Sequence, residues 1–202
     1  MDTSPVVTLK RARSYFTRRL CGDIKTPESR AHFRTYVQGQ LSNLEHKSVA
    51  PMALAAGVWP RTLQEFLEIH RWDPDQVRCR LQQVVIQDHG DADAIGAIDE
   101  TSYAKKGDHP AGVQPPYCGV RGKTDHCVVT VHRGSVSVGF HALIDSALFL
   151  PEHPWGADRE RCRAAGIPEE VGYRPKGRIG VDLLARRWAQ GIRLAWRVAD
   201  ED

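Results

Sequence analysis

Asp99 and Glu100 close an apolar run, Ala94 to Ile98, and two lysines, Lys105 and Lys106, follow six and seven positions after Asp99. A carboxylate at the end of a buried strand is costly unless a partner or a cation compensates it. Phosphoryl chemistry is one reason to accept that cost, because a carboxylate can hold Mg²⁺ while neighbouring lysines meet phosphate oxygens. The plainer alternative is a solvated turn after a strand, with both lysines in water. Another acidic residue, Asp200, sits at the carboxyl end of a second apolar run, Ile192–Ala199. Spacing alone does not bring two positions 101 apart together.

Other chemistry is less well supported. His126, Cys127, Cys118 and His132 can be drawn as a metal site, but their spacing fits no standard pattern and ordinary strand positions explain them. The five cysteines are odd in number and scattered, which argues against a disulfide framework or a zinc ribbon. His109 and His141 are isolated. Asp145 ends a strand-like run, Asp182 falls inside a helix, and Asp158-Arg159-Glu160-Arg161 reads as a salt-bridged helix surface.

Three blocks carry a resemblance. Ile98-Asp99-Glu100-Thr101, Lys105-Lys106-Gly107 and Ala111-Gly112-Val113-Gln114 form the first. Ala142-Leu143-Ile144-Asp145, Leu148-Phe149-Leu150-Pro151 and Asp158 through Pro168 form the second, and Val198-Ala199-Asp200 the third. In this order they resemble bacterial insertion-sequence transposases of the 701-like group, which are DDE endonucleases. The similarity runs from about Arg34 to the last residue. It implies an RNase H-like core in which the first and fourth strands are neighbours, so that Asp99 and Asp200 converge as the first two catalytic and metal-binding carboxylates. It implies Mg²⁺ or Mn²⁺ as cofactor, and double-stranded DNA, both element ends and target, as partner. The third carboxylate of the set, a glutamate on a later helix, has no counterpart after Asp200. The resemblance therefore implies the N-terminal portion of a transposase: a truncated frame, a decayed element, or half of a split gene. The missing half would come from a second chain, or the protein would act as a homodimer. The alternative function is a non-catalytic DNA-binding regulator derived from a transposase.

The elements that must position these residues divide in two. Residues 1–90 read as helical and carry 13 Lys/Arg against 9 Asp/Glu, whereas residues 91–202 carry 15 against 16. A basic part beside a carboxylate-rich part suits DNA binding joined to metal chemistry. Ser29–Leu44 has Phe33, Val37, Leu41 and Leu44 on one face. Asp73-Pro74 opens a further helix with an N-cap and a proline at the first position. Between them, a short helix, a turn at Gly57 and a helix opened by Pro60 have the form of a helix-turn-helix, with Arg61, Thr62 and Gln64 as candidate DNA contacts. An ordinary helical hairpin is the alternative.

From Asp91 the period shortens. Ala94–Asp99, Tyr117–Arg121, His126–Arg133 and Ser135–Ile144 read as strands, with turns at Gly122-Lys123-Thr124-Asp125 and Gly134. Ala157–Ala165 and Arg178–Gln190 read as helices, and Ile192–Ala199 as the last strand. The expected fold class is α+β or α/β: an N-terminal helical region, then an incomplete RNase H-like core over 91–202. No run approaches the roughly 18 apolar residues a membrane span needs. The N-terminus has no signal-peptide pattern, so the cytoplasm is the expected location.

Overall fold

The protein is described by a computed structural model covering residues 4–69, 73–105, 107, 110–114, 117–118, 123–124, 126–188 and 195–199. The chain divides into two compact units, Met1–Val84 and Val85–Asp202.

The first unit is helical. Its elements are α1 (Ser4–Leu20), α2 (Pro27–Gln40), α3 (Val49–Ala55), α4 (Pro60–Glu68) and most of α5 (Pro74–His89). Capping chemistry fixes the starts. Thr26 Oγ1 accepts the Ser29 N–H at 3.2 Å, with Pro27 in the first turn, so α2 begins before the expected Ser29. Asp73 Oδ1 accepts the N–H groups of Asp75 and Gln76 at 2.9 and 3.2 Å, which opens α5 as the sequence predicts. Gly57, at φ +68°, turns the chain between α3 and α4. Phe33, Met52, Leu63, Phe66 and Val84 form the core. Leu54 and Leu67 are exposed.

The second unit is built on a sheet of order β5-β4-β1-β6. Its strands are β1 (Ile95–Ala104), β4 (Cys127–Ser137), β5 (Phe140–Leu148) and β6 (Trp196–Ala199), while β2 (Tyr117–Cys118) and β3 (Lys123–Thr124) pair separately. β1 is antiparallel to β4 and parallel to β6, and β4 is antiparallel to β5. The helices are α6 (Arg159–Ala164) and α7 (Lys176–Trp188). α6 is capped by Asp158 Oδ1 on the Arg161 N–H at 2.9 Å and is followed by Gly166 at φ +72°. Val129 and Val131 face Ile179 and Leu183 of α7, whereas Val128 packs with Val113, Leu150 and Trp155. Both sides of β4 are therefore buried over this stretch, which accounts for its continuous apolar run.

Two strand boundaries differ from expectation. β1 continues five residues beyond Asp99, to Ala104, because Thr101 and Tyr103 favour strand and Cys127–Val131 offers a paired edge. The β4–β5 turn falls at Val138-Gly139 and not at Gly134; Gly139 takes φ +76°, and Gly134 pairs with Leu143 beside a register shift. The architecture is the α+β class expected, with the first and fourth strands of the main sheet adjacent in RNase H-like order.

Gly39 of α2 faces Met52 so closely that a Cβ there would lie 2.7 Å from Met52 Cβ. Glycine to alanine inside a helix normally gains about 0.5–1 kcal/mol. Here overpacking should reverse the sign, and Gly39→Ala is expected to lower stability by roughly 1–3 kcal/mol in urea denaturation.

Candidate functional site

The parallel pairing of β1 with β6 runs from Ile95–Trp196 to Ile98–Ala199, while the antiparallel pairing with β4 continues through Asp99–His132 and Glu100–Val131. Asp99 is therefore the first β1 residue past the described parallel pairs. The strand alternation then separates the two carboxylates. Ile98 faces α7 across Gly180, where an added Cβ would stand 3.1 Å from Ile98 Cγ2. Glu100 faces the same way, and the Lys176 ammonium lies 2.6 and 2.8 Å from its two carboxylate oxygens. Asp99 faces the other side of the sheet and is exposed. Its Oδ1 accepts the Glu100 N–H at 2.7 Å, and no other bond to this carboxylate is present among the described residues.

Around this point lies a cleft of about 520 Å³ whose lining includes Asp99, Glu100, Phe149, Tyr173, Lys176 and Ala199. Lys176 Nζ stands 5.8 Å from the Phe149 ring centroid as it meets Glu100. On the strand beside Asp99, His132 Nε2 lies 2.7 Å from Thr130 Oγ1, and that hydroxyl donates to the Thr101 carbonyl at 3.4 Å.

α7 is held from beneath by a buried charge. Arg133 is fully buried on β4; its Nη1 donates to the Leu183 carbonyl at 2.9 Å, and Nε and Nη2 have no hydrogen-bond partner among the described residues. Burial pushes the guanidinium pKa down, and the charge of Asp145, its neighbour across the β4–β5 pair, pushes it back up. Asp145 is itself buried, with Oδ1 accepting the Ser146 N–H at 2.9 Å.

Of the sequence-predicted residues, Asp99 is at the strand position just described. Asp200 follows Ala199 directly and lies outside the described residues, as do Lys106 and His109. Lys105 is exposed just past β1, and its backbone N–H donates to His126 at 2.8 Å. Arg61, Thr62 and Gln64 share the first turns of α4, where Arg61 already pairs with Glu65 at 2.9 Å and approaches Glu68 at 4.0 Å. Asp182 lies between Arg174 and Arg178, at 2.9 and 3.1 Å, in keeping with a structural role. Arg159 does not pair within its own helix. With Arg163 it holds Glu169, and those hydrogen bonds draw the Glu169 carboxyl below its usual range.

The Glu100–Lys176 pair escaped sequence reasoning because its members are 76 positions apart. The Arg133–Asp145 pair did leave a signal, an arginine inside a Val-rich strand.

A hard cation suits the exposed Asp99 carboxylate, whose oxygens are engaged, among the described residues, by one backbone N–H. Glu100 fits less well, since it would have to release Lys176. Among the described residues no three His, Cys, Asp or Glu side chains are grouped to hold a metal ion, and no helix is long and apolar enough to cross a membrane.

Removing the charge of Asp145 takes away an attraction that offsets part of the burial cost of the Arg133 guanidinium. Asp145→Asn is expected to destabilise the second unit by about 3–5 kcal/mol, measured by thermal or urea unfolding. A change under about 1 kcal/mol would mean that Asp145 does not balance Arg133.

Comparison with known proteins bears on the chemistry. The family profile described as DDE superfamily endonuclease matches residues 19–202. A curated relative from Microchaete diplosiphon, described as a probable transposase for insertion sequence element IS701, is 28% identical over 163 residues. That alignment covers 80% of this chain and 40% of the relative, so the chain spans about two-fifths of the relative's length.

Proposed function

The chain belongs to the DDE superfamily of endonucleases, and from that premise we propose that it serves transposition: cutting of duplex DNA at the ends of an insertion sequence and joining of the freed 3′-hydroxyl to target DNA. The observation that carries this reading is the parallel pairing that reaches Ile98 and Ala199. One more step of the same register would set Asp200 beside Asp99 on a shared face. Neighbouring strands lie about 4.8 Å apart, which suits carboxylates serving cations about 4 Å apart.

In this reading Asp99 and Asp200 would hold Mg²⁺ or Mn²⁺, which when bound supplies Lewis-acid activation of the attacking hydroxyl and charge stabilisation at the leaving oxygen. Glu100 keeps Lys176 in place at the cleft and is not a ligand. Lys105 and Lys106 would meet DNA phosphates beside the carboxylates. Arg61, Thr62 and Gln64 would face base edges from the start of α4. The Arg61–Glu65 pair does not prevent this, because exposed ion pairs contribute about 0–1 kcal/mol and open readily. The cytoplasm would be the site of action. Two carboxylates alone leave a second cation under-coordinated, so a polypeptide of these 202 residues by itself would bind DNA and leave it uncut.

Mn²⁺ titration followed by electron paramagnetic resonance tests the site. Asp99→Asn and Asp200→Asn should each weaken binding about tenfold or more, and Glu100→Gln should change it less than about threefold. Loss with Glu100→Gln but not with Asp99→Asn would overturn the assignment. Incubated with element-end duplex and either cation, the unaltered polypeptide should produce no cleavage. Cleavage abolished by Asp99→Ala would show instead that the carboxylate set is complete in this chain or between two copies of it.

A further inference from the structure

α1 carries Lys10, Arg11, Arg13, Arg18 and Arg19 and no acidic residue. That is +5 within a chain whose net charge is +3, so everything outside the helix sums to −2. The family profile begins at residue 19, so nearly all of this helix precedes it.

Elsewhere, several surface cations are paired: Arg61 with Glu65, Arg78 with Asp75, Arg163 with Glu169 and Arg178 with Asp182. Among the described residues no carboxylate pairs with Lys10, Arg11, Arg13 or Arg18. Such a concentration raises the local potential and favours a polyanion.

Helical spacing gathers the groups on one side. Lys10, Ser14 and Arg18 stand at i, i+4 and i+8, and Arg11, Tyr15 and Arg19 form a parallel row. At 1.5 Å per residue each row is about 12 Å long. Lys10, Arg11, Ser14, Tyr15 and Arg18 line one shallow depression. Arg19 donates to the Tyr15 hydroxyl at 3.2 Å and lies 5.2 Å from the ring centroid, which holds the aromatic in the basic surface.

The opposite side of α1 decides between two polyanions. A basic helix that lies on a membrane buries an apolar face in the lipid. Here Thr17 and Leu20 are buried, and Leu20 and Phe16 pack in the helical core, so that face is already occupied. Among the described side chains of α1, those exposed are Lys10, Arg11, Ser14, Tyr15 and Arg18, with Ala12 beside them, mostly the cationic and hydroxyl chemistry of phosphate-backbone contact.

We propose that α1 grips the sugar-phosphate backbone of duplex DNA without sequence selectivity, through Lys10, Arg11 and Arg18. This rests on DNA being the partner and adds where its backbone is held, separately from the base contacts proposed for α4.

The test uses the full 202-residue chain and a random-sequence 20-base-pair duplex, with anisotropy measured from 50 to 300 mM NaCl. Each phosphate contact contributes about 0.9 to the log–log salt slope. The triple variant Lys10→Gln, Arg11→Gln, Arg18→Gln should lower the slope by roughly 3 and weaken binding at least about tenfold at 50 mM. Element-end duplex should be affected equally. Two controls separate the site from net charge and from folding. Arg78→Gln, Arg163→Gln, Arg178→Gln removes the same charge elsewhere and should leave the slope within about 1. Arg11→Lys with Arg18→Lys keeps the charge and should keep the slope. A slope unchanged in the α1 triple variant, or lowered equally by the control triple, overturns this inference and leaves the DNA reading standing. If the unaltered chain fails to bind duplex at 50 mM NaCl, both fall. Stronger binding to 3:1 phosphatidylcholine–phosphatidylserine vesicles than to duplex, lost in the α1 variant, would also overturn it in favour of a membrane surface.

Discussion

Four residues of parallel pairing, Ile95–Ile98 against Trp196–Ala199, are the constraint on which the second unit depends. Antiparallel strands can be joined by a two-residue turn, as β4 and β5 are at Val138-Gly139, but a parallel neighbour has to be reached by a crossover. β5 lies at one edge of the sheet and β6 at the other. The chain between them supplies α7, which covers β4 and β1 through Ile179 and Leu183. Gly180 allows that helix close to Ile98. Arg133 ties the same helix to β4 through the Leu183 carbonyl. Any change that lifts α7 also removes Lys176 from Glu100 and reshapes the cleft beside Asp99.

Period two then gives adjacent carboxylates different surroundings. Glu100 turns toward α7 and is occupied by a lysine; Asp99 turns away, exposed, next to His132 on the paired strand. This partition needs no special residue at either position. It follows from the side on which the crossover helix lies. The buried Arg133 with Asp145 beneath α7 is a costlier arrangement, since desolvation of both charges offsets much of their attraction. What it provides is a fixed seat for the helix.

Local chemistry was legible in the sequence where it is local. Asp73-Pro74 announced α5, Gly57 and Pro60 bracketed the α3–α4 turn, and the apolar run before Asp99 marked β1. Boundaries were harder to read where a partner strand decides them. β1 runs past Asp99 because β4 is there to pair with it, and Gly134, a plausible turn residue, is absorbed into the ladder beside a register shift. Contacts between distant positions, Glu100 with Lys176 above all, leave no trace in spacing. The adjacency of β1 and β6 was available only through resemblance, because periodicity identifies strands without ordering them in a sheet. The basic character of α1 was present in the composition of residues 1–90 but was diluted there by acidic residues from other helices.

The proposed cation site lies between Asp99 and Asp200, past the described β1–β6 pairs. A crystal structure of the chain soaked with Mn²⁺, read by anomalous scattering, tests it most directly. The expected result is an anomalous peak bonded to oxygens of both Asp99 and Asp200, at about the 2.0–2.6 Å typical of hard divalent cations, with Glu100 still on Lys176. Carboxylates more than about 10 Å apart, too far to share a cation or serve an adjacent pair, or a peak seated on Glu100 with Lys176 displaced, would contradict it.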